Sequence, residues 1–344
     1  MKIAWLLVGV VLVLGVDGPA GLSRTSAPGG RVLLDAHNCY PEHEKWGDRI
    51  ERALSNGTPI AIEQDLIWIK DPISGQFKSV LAHNEPYTGR EPTLREHFFE
   101  RIRPLVEKAL KENRPETWPI ITLNLDLKSN EPEHHAAIWK TIGEYESWLT
   151  TAPKSDDPSN PDKVMPLDVK PVLVLTGSAP SQETDYSTSQ PAGTRLRMFG
   201  AVEVQPPASL GKGQELVDKL VDLSPEVVVA HGITNYRRWA NYPWAVVERG
   251  GQRKAEGWTA ADRARLKALV DRAHSLGLWI RFYTLDGFSP DQDKGWTASY
   301  NFGSVDAARA RWQAAIDAGV DFLATDQYEL FGQTLKQHAP APQE

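Results

Sequence analysis

Short apolar runs alternate with amphipathic stretches along most of the chain. The runs are rich in Val, Ile, Leu and Phe, which is typical of buried strands, and they cover residues 31–37, 59–68, 118–128, 170–177, 195–204, 225–232, 276–284 and 319–326. A shorter run at 78–83 is interpreted as an appendage of the second strand. Between the runs, apolar residues recur at helical spacing over residues 44–56, 93–112, 133–150, 212–223, 259–276 and 304–318. Eight strands separated by helices predict an α/β protein, a single (β/α)₈ TIM barrel with long loops over residues 31–334.

Two segments fit this alternation less well. Residues 178–194 show no convincing helical pattern, and residues 153–171 are crowded with Pro and Ser. We therefore expect a connection without a helix at the first segment and a long loop, rather than a domain linker, at the second.

The first residues have the pattern of a targeting signal. Lys2 precedes an apolar run that reaches Val16, and small residues follow from Gly18. This order predicts a signal peptide over residues 1–22 and a secreted or periplasmic protein. The run is shorter than a membrane-spanning helix requires, although an uncleaved N-terminal anchor is the alternative.

Two predicted strands place charged side chains on one face. In the third strand, leucines alternate with Asn124, Asp126 and Lys128, and in the second strand Glu63 and Asp65 share a face. The leucines belong against the outer helices, so the polar residues should point into the barrel. Burying three carboxylates together requires a compensating positive charge. Their oxygens suit Ca²⁺ or Mg²⁺, and internal salt bridges, such as Asp126 with Lys128, are the alternative.

Two histidines stand at strand ends beside these acids. His37 ends the first strand and His83 ends the short appended run. Imidazole titrates near neutral pH, so such a pair can act as base and acid on opposite sides of a reacting centre. The weaker candidate His231 ends the predicted sixth strand.

Composition limits the classes of partner. The 344 residues carry a net charge of −7, which disfavours a nucleic-acid partner, and the single cysteine, Cys39, excludes a disulfide framework and a cysteine-rich zinc site. The 12 tryptophans are numerous. Trp239, Trp244 and Trp296, with Tyr242 beside the first two, are expected in the loops after the sixth and seventh strands. These aromatic residues would either form a platform for a lipid or sugar or pack the loops.

This set of residues resembles the PLC-like phosphodiesterases, which include phosphatidylinositol-specific phospholipase C and the glycerophosphodiester phosphodiesterases. The resemblance is strongest over residues 31–128. This part of the sequence is most similar to the phospholipase C-like branch typified by the "altered inheritance of mitochondria" proteins. It implies a TIM barrel and a metal-dependent phosphoric diester hydrolase acting on phospholipids or glycerophosphodiesters, with transient contact to a membrane surface.

The resemblance also implies a role for each residue. His37 would be the general base and His83 the general acid, and either water or a neighbouring substrate hydroxyl would be the nucleophile. Lys128 would bind phosphate. The implied Ca²⁺ or Mg²⁺ ligands are Glu63, Asp65 and Asp126, with Asn38 as a fourth oxygen donor.

Two residues of the seventh strand have alternative roles. Arg281 would bind phosphate or pair with an internal acid, and Tyr283 would line the substrate pocket or pack the barrel.

Two other functions remain open at this point. A glycoside hydrolase on the same barrel would need two carboxylates about 5–10 Å apart flanking a sugar. A barrel that binds a lipid or headgroup without catalysis is the second alternative.

Overall fold

The computed structural model describes residues 27–43, 45–204, 210–211, 213–251, 257–287 and 301–338. The predicted signal peptide and Trp296 lie outside the described residues. No helix within the described part of the chain has both the length and the apolar character needed to cross a bilayer.

Parallel strands close into a barrel. Within the described residues eight of them pair side by side, and in order around the barrel they are β1 (Leu33–Ala36), β2 (Ile60–Lys70), β4 (Ile121–Leu127), β6 (Val172–Thr176), β8 (Phe199–Ala201), β9 (Arg237–Pro243), β10 (Trp279–Tyr283) and β11 (Phe322–Thr325). β1 pairs with both β2 and β11, so the ring has no open edge. The predicted (β/α)₈ barrel is confirmed.

Three further strands lie outside the ring. β3 (Phe77–Leu81) pairs antiparallel with the far end of β2 and forms a hairpin, as expected for the appended run. β5 (Ala152–Pro153) and β7 (Arg195–Leu196) form a separate antiparallel ribbon.

Helices connect the barrel strands on the outside. They are α1 (Arg49–Leu54), α2 (Glu100–Glu112), α3 (Pro132–Gly143), α4 (Pro180–Glu183), α5 (Gly213–Lys219), α6 (Pro225–Val228), α7 (Ala260–Ser275), α8 (Val305–Ala318) and α9 (Tyr328–His338). π-helical turns precede α2 at Arg95–Phe99 and follow α4 at Thr184–Thr188. The expectation that 178–194 would lack a helix was therefore wrong, because Pro180 at the first helical position starts a short helix there.

The sixth strand differs from the prediction. Residues 225–232 are apolar, yet Pro225 begins the short helix α6 and His231 is exposed in the connection that follows. The strand is β9 instead, and Trp239 and Tyr242 lie in it, both buried. Trp244 follows in a 3₁₀ turn and is also buried, so these aromatic residues pack the barrel and do not form an exposed platform.

The barrel interior changes character along its axis. At the strand starts it is filled by apolar side chains, namely Leu33, Leu173, Trp239, Trp279 and Phe322. Towards the carboxyl ends the inward positions become polar, as at Asp35, Glu63 and Asn124. The apolar layer makes the lower barrel a packed core, and the polar layer lies at the end where TIM barrels hold their active sites.

Candidate functional site

Two of the predicted residues follow β1 directly. His37 and Asn38 are the first residues after the strand, and Asn38 has a φ of +50°. Few residues other than glycine adopt this left-handed conformation. The surrounding bonds hold it, because the Asn38 amide N–H donates to Glu63 Oε2 at 3.0 Å and its carbonyl accepts a bond from the buried Arg49 guanidinium.

His37 lies between two carboxylates. Its Nδ1 is 2.9 Å from Asp326 Oδ1, and its Nε2 is 3.5 Å from Glu63 Oε2. Burial alone would lower the pKa of this imidazole, but the charges of Glu63 and Asp326 outweigh it and raise the pKa to about 9. The ring is therefore held in the protonated form at neutral pH as long as both carboxylates are charged.

The three predicted acids converge at the barrel mouth. Glu63, Asp65 and Asp126 each offer an oxygen, and these oxygens lie within 4.8 Å of one another. Lys128 joins two of them, since its Nζ is 2.9 Å from Asp65 Oδ2 and 2.6 Å from Asp126 Oδ2. The salt bridge between Asp126 and Lys128 is thus present together with the acid cluster.

Negative charge exceeds positive charge within this cluster. Burial and the neighbouring Asp126 raise the pKa of Asp65 to about 8, although Lys128 lowers it. Glu63 is also buried, but Arg281 and His37 outweigh that burial and lower its pKa to about 2. The surroundings of Asp65 therefore disfavour its charged form, whereas those of Glu63 favour it.

The cluster fits a hard divalent cation. Asp65 Oδ1 is buried and has no hydrogen-bond partner, while Oδ2 of the same group is occupied by Tyr40 and Lys128. Ca²⁺ and Mg²⁺ bind such carboxylate oxygens and complete their shells with water. Asn38, the fourth predicted ligand, directs its amide oxygen to the Tyr40 hydroxyl at 3.2 Å, so it borders the cluster through Tyr40.

His83 lies on the other side of Asp65. Its Nε2 is 3.9 Å from Asp65 Oδ2, and its side chain is 37% exposed. Burial and the Lys128 ammonium lower its pKa. His83 therefore favours the neutral form and remains open to solvent, whereas the His37 ring is largely enclosed.

Arg281 occupies the interior below the mouth. The guanidinium is buried, pairs closely with Asp35 and places Nη2 3.1 Å from Glu63 Oε1. Of its two predicted roles, pairing with internal acids is the one observed. Tyr283 is half-buried one step nearer the mouth, and the Arg281 guanidinium lies 5.3 Å from its ring centroid.

Several residues at the mouth were not singled out from the sequence. Asp326 follows β11 directly and holds His37, and Asp286 follows β10 and accepts bonds from the Asp326 amide and the Thr325 hydroxyl. Burial and Asp326 raise the pKa of Asp286 to about 7. The rule that found His37 would also have found Asp326, because both residues come immediately after a strand. Asp286 lies further beyond its strand and gives no such signal.

Comparisons with known proteins return structural similarity alone. No family model and no curated protein sequence matches the chain. A glycerophosphoryl diester phosphodiesterase from Parabacteroides distasonis is 15% identical, with a TM-score of 0.41 over 93% of this chain and 90% of that one. A calcium-dependent phosphoinositol-specific phospholipase C from Pseudomonas sp. is 15% identical, with a TM-score of 0.42 over 91% of this chain and 95% of that one.

The structure of a different enzyme gives a similar TM-score. The HPPK-DHPS of Plasmodium falciparum is 11% identical, with a TM-score of 0.44 over 91% of this chain and 48% of that one. At TM-scores below 0.5 such similarities leave the reaction undetermined. The function of this chain must be inferred from the side chains at its barrel mouth.

Proposed function

We propose that the protein is a metal-dependent phosphoric diester hydrolase that acts on phospholipids or glycerophosphodiesters. One observation supports this above all: two imidazoles, three carboxylates and an ammonium group meet at the carboxyl end of one barrel. A phosphodiester needs charge neutralisation, a deprotonated nucleophile and a proton for the leaving oxygen. The site holds a side chain for each requirement.

In the proposed site, Glu63, Asp65 and Asp126 hold Ca²⁺ or Mg²⁺. The bound cation would supply Lewis-acid stabilisation of a phosphate oxygen. Lys128, already at the mouth and 21% exposed, would neutralise further phosphate charge through its ammonium group. Asn38 would position this group of residues through Tyr40.

The two histidines would move the protons. His37 accepts a proton from water or from a substrate hydroxyl, and His83 gives one to the leaving alcohol oxygen. The pKa shifts oppose these roles while Glu63 is charged. The pKa of His37, the proposed base, is raised, and the pKa of His83, the proposed acid, is lowered. Binding of Glu63 to the cation would remove one cause of the raised pKa of His37, although Asp326 would still raise it, and His83 would have to take up a proton from solvent before it could protonate the leaving oxygen.

The lysine shared by the acids favours this reaction over glycoside hydrolysis. A glycosidase places its two catalytic carboxyls about 5–10 Å apart, with the sugar between them. Here the oxygens of all three acids lie within 4.8 Å of one another and share a lysine. Such a nest suits a cation better than a sugar ring.

Place of action and partners complete the proposal. We propose that the chain is exported to the periplasm or the medium, since Lys2 and the apolar run that follows it have the form of a signal peptide. Its net charge of −7 disfavours a nucleic-acid substrate.

A diester screen with and without cation tests the function. Phosphatidylinositol, lysophospholipid, sphingomyelin and glycerophosphodiesters are incubated with protein in EDTA, Ca²⁺ or Mg²⁺, and phosphorus NMR separates cyclic from open phosphate products. We expect turnover that EDTA abolishes. His37→Ala and His83→Ala should each lower kcat about 10²–10⁴-fold.

His43→Ala is the matched control, because His43 is exposed in a loop beside the site. Its turnover should stay near that of the unaltered protein. Turnover that persists in EDTA, or near-normal kcat in either active-site variant, would contradict the proposed mechanism.

A further inference from the structure

A two-stranded hairpin projects from the mouth of the barrel. β2 runs beside β4 only as far as the pair Leu66 with Leu127, and its last four residues pair with β3 alone. At about 3.3 Å per residue, this ribbon extends roughly 13 Å beyond the neighbouring strand before it turns. Its turn therefore stands clear of the barrel on the side of the proposed active site.

The end of this hairpin is apolar. Among the described residues, the exposed large hydrophobic side chains are Ile73 at 72%, Phe77 at 60% and Val164 at 42% exposure. Ile73 lies in the turn and Phe77 begins the return strand, so two of the three belong to one hairpin tip. Val164 lies in the segment that leads into the start of β6, at the opposite end of the barrel.

The turn is held in one shape. The Asp71 carboxylate accepts bonds from the Ile73 amide at 2.9 Å and the Ser74 hydroxyl at 3.0 Å, and it pairs with Lys78 at 3.2 Å. The Trp68 ring stacks on Phe77, with ring centroids 5.9 Å apart. Hydrogen bonds and an ion pair thus fix the turn in which the exposed Ile73 lies.

Two exposed cations lie beside the tip. Lys70 is exposed and pairs across the hairpin with Phe77, and Arg90 is exposed in the adjoining loop. That loop touches the tip, because a Cβ built on Gly89 would meet the Ile73 side chain at 2.8 Å. Apolar side chains with Lys70 and Arg90 beside them fit the interface of an anionic bilayer, although Glu91 of the same loop, bonded to the Thr88 and Gly89 amides, offsets part of this charge.

We propose that Ile73 and Phe77 insert into the surface of an anionic phospholipid membrane and orient the barrel mouth towards it. This inference rests on the proposed function and names the surface on which the enzyme would work. The exposed apolar area of the two side chains is on the order of 300 Å², well below the roughly 800 Å² that each partner buries in a stable protein interface. Shallow insertion into a bilayer needs no larger area, so a membrane fits better than a second copy of the chain.

The hairpin connects the membrane contact to the site. Asp65, a proposed metal ligand, lies on the outgoing strand, and His83, the proposed acid, comes two residues after the return strand ends. A membrane at the tip would therefore face both groups across the length of the hairpin.

Labelling at the tip tests insertion directly. Cys39 is buried, so Ile73→Cys gives one accessible thiol for an environment-sensitive dye, and Val164→Cys gives the matched control at the opposite end. Vesicles of phosphatidylcholine alone, or of phosphatidylcholine mixed with phosphatidylglycerol, are then added. We expect a blue shift of emission at position 73 with the anionic vesicles and none at position 164.

Sedimentation with the same vesicles gives a second readout. Ile73→Ser should weaken partition into anionic vesicles at least tenfold, whereas Val164→Ser should leave it unchanged. Hydrolysis of a water-soluble short-chain diester should be the same in both variants. Equal partition of both serine variants, no partition of the unaltered protein, or equal dye shifts at the two positions would overturn the proposal.

Two further outcomes separate the alternatives. A dye shift that needs no vesicles and grows with protein concentration would assign the tip to self-association and overturn the membrane contact. Partition requires no turnover, so tip-dependent binding by a protein inactive on every diester would refute the proposed function and leave the membrane contact in place.

Discussion

At the scale of single residues, His37 depends on the carboxylates that flank it. Asp326 holds one ring nitrogen at 2.9 Å, and Glu63 lies 3.5 Å from the other. A carboxylate partner on one nitrogen fixes the orientation of the ring and leaves the second nitrogen to face the reaction. The contact between His37 and Asp326 would therefore position the proposed proton carrier.

Replacement of Asp326 by Asn tests this positioning role. We expect kcat on the diester substrate to fall about 10–100-fold. The His37 pKa should also fall, because the variant removes a negative charge that favours the imidazolium form. NMR titration of the His37 ring and the pH dependence of kcat measure these effects.

Asp306→Asn is the control, since that carboxyl is exposed on the surface of α8. It should change neither the pKa nor kcat. An unchanged His37 titration in Asp326→Asn would show that the carboxylate does not act on the ring.

At the scale of elements, local signals set where the longer helices begin and end. Thr259 precedes α7 and forms a reciprocal capping box with Asp262, so that each side chain accepts a bond from the other residue's amide. α8 ends at Gly319, whose φ of +81° suits glycine and few other residues. These boundaries depend on neighbouring residues alone and are therefore visible in the sequence.

Loss of this cap should destabilise the fold measurably. Thr259→Ala removes the side-chain oxygen that accepts from the Asp262 amide, and we expect the free energy of unfolding to fall by about 1 kcal/mol. Urea denaturation followed by circular dichroism measures the change. Ser55→Ala, at an exposed hydroxyl outside any capping box, should have a smaller effect. Equal losses in the two variants would show that the box adds nothing.

One of the two buried histidines of α3 makes stability depend on pH. His134 is enclosed between Ser79 and Ser129, and burial lowers its pKa to about 4. The unfolded chain protonates this ring near pH 6.5, so its contribution is complete above that pH and is lost as pH falls from 6.5 towards 4. Between pH 7 and pH 5 the loss should reach up to ~2 kcal/mol.

Urea unfolding at the two pH values tests the sign. Other groups also titrate over this range, so the comparison is between the unaltered protein and His134→Gln. The variant should lose less stability than the unaltered protein when the pH is lowered to 5. An equal or larger loss in the variant would contradict the assignment.

At the scale of the whole molecule, closure of the barrel gathers charges from distant parts of the chain. Arg281 of β10 meets Asp35 of β1 and Glu63 of β2, all deeply buried. Burial disfavours each charge on its own, and the contact compensates for it. The polar layer of the interior therefore exists only when the ring is closed.

Removal of Arg281 should consequently destabilise the whole barrel. Arg281→Met leaves two buried carboxylates without their cation, and we expect the free energy of unfolding to fall by about 3–5 kcal/mol. Denaturant unfolding measures it. Arg281→Met combined with Asp35→Asn should recover part of the loss. A cost below 1 kcal/mol for the single variant would show that the pair is not needed for stability.

The fold class could be predicted because its signals are local. Strand runs such as 118–128 and helix signals such as Thr259 need no distant partner to be recognised. The sixth strand was misplaced for the opposite reason. The apolar residues 225–232 resemble a strand more than β9 does, yet β9 begins with two arginines that find partners elsewhere, Arg237 at Glu183 and Arg238 at the Met165 carbonyl.

For the candidate site, alternation along β2 and β4 determined which acids share a face, since side chains on a strand point alternately to either side. Their roles, and the predicted signal peptide, stay predictions. Tertiary structure alone decided that Arg281 neutralises internal acids and that Asp326 holds His37. Each of these contacts joins strands that are far apart in sequence, and no local sequence pattern predicts which distant strands will meet.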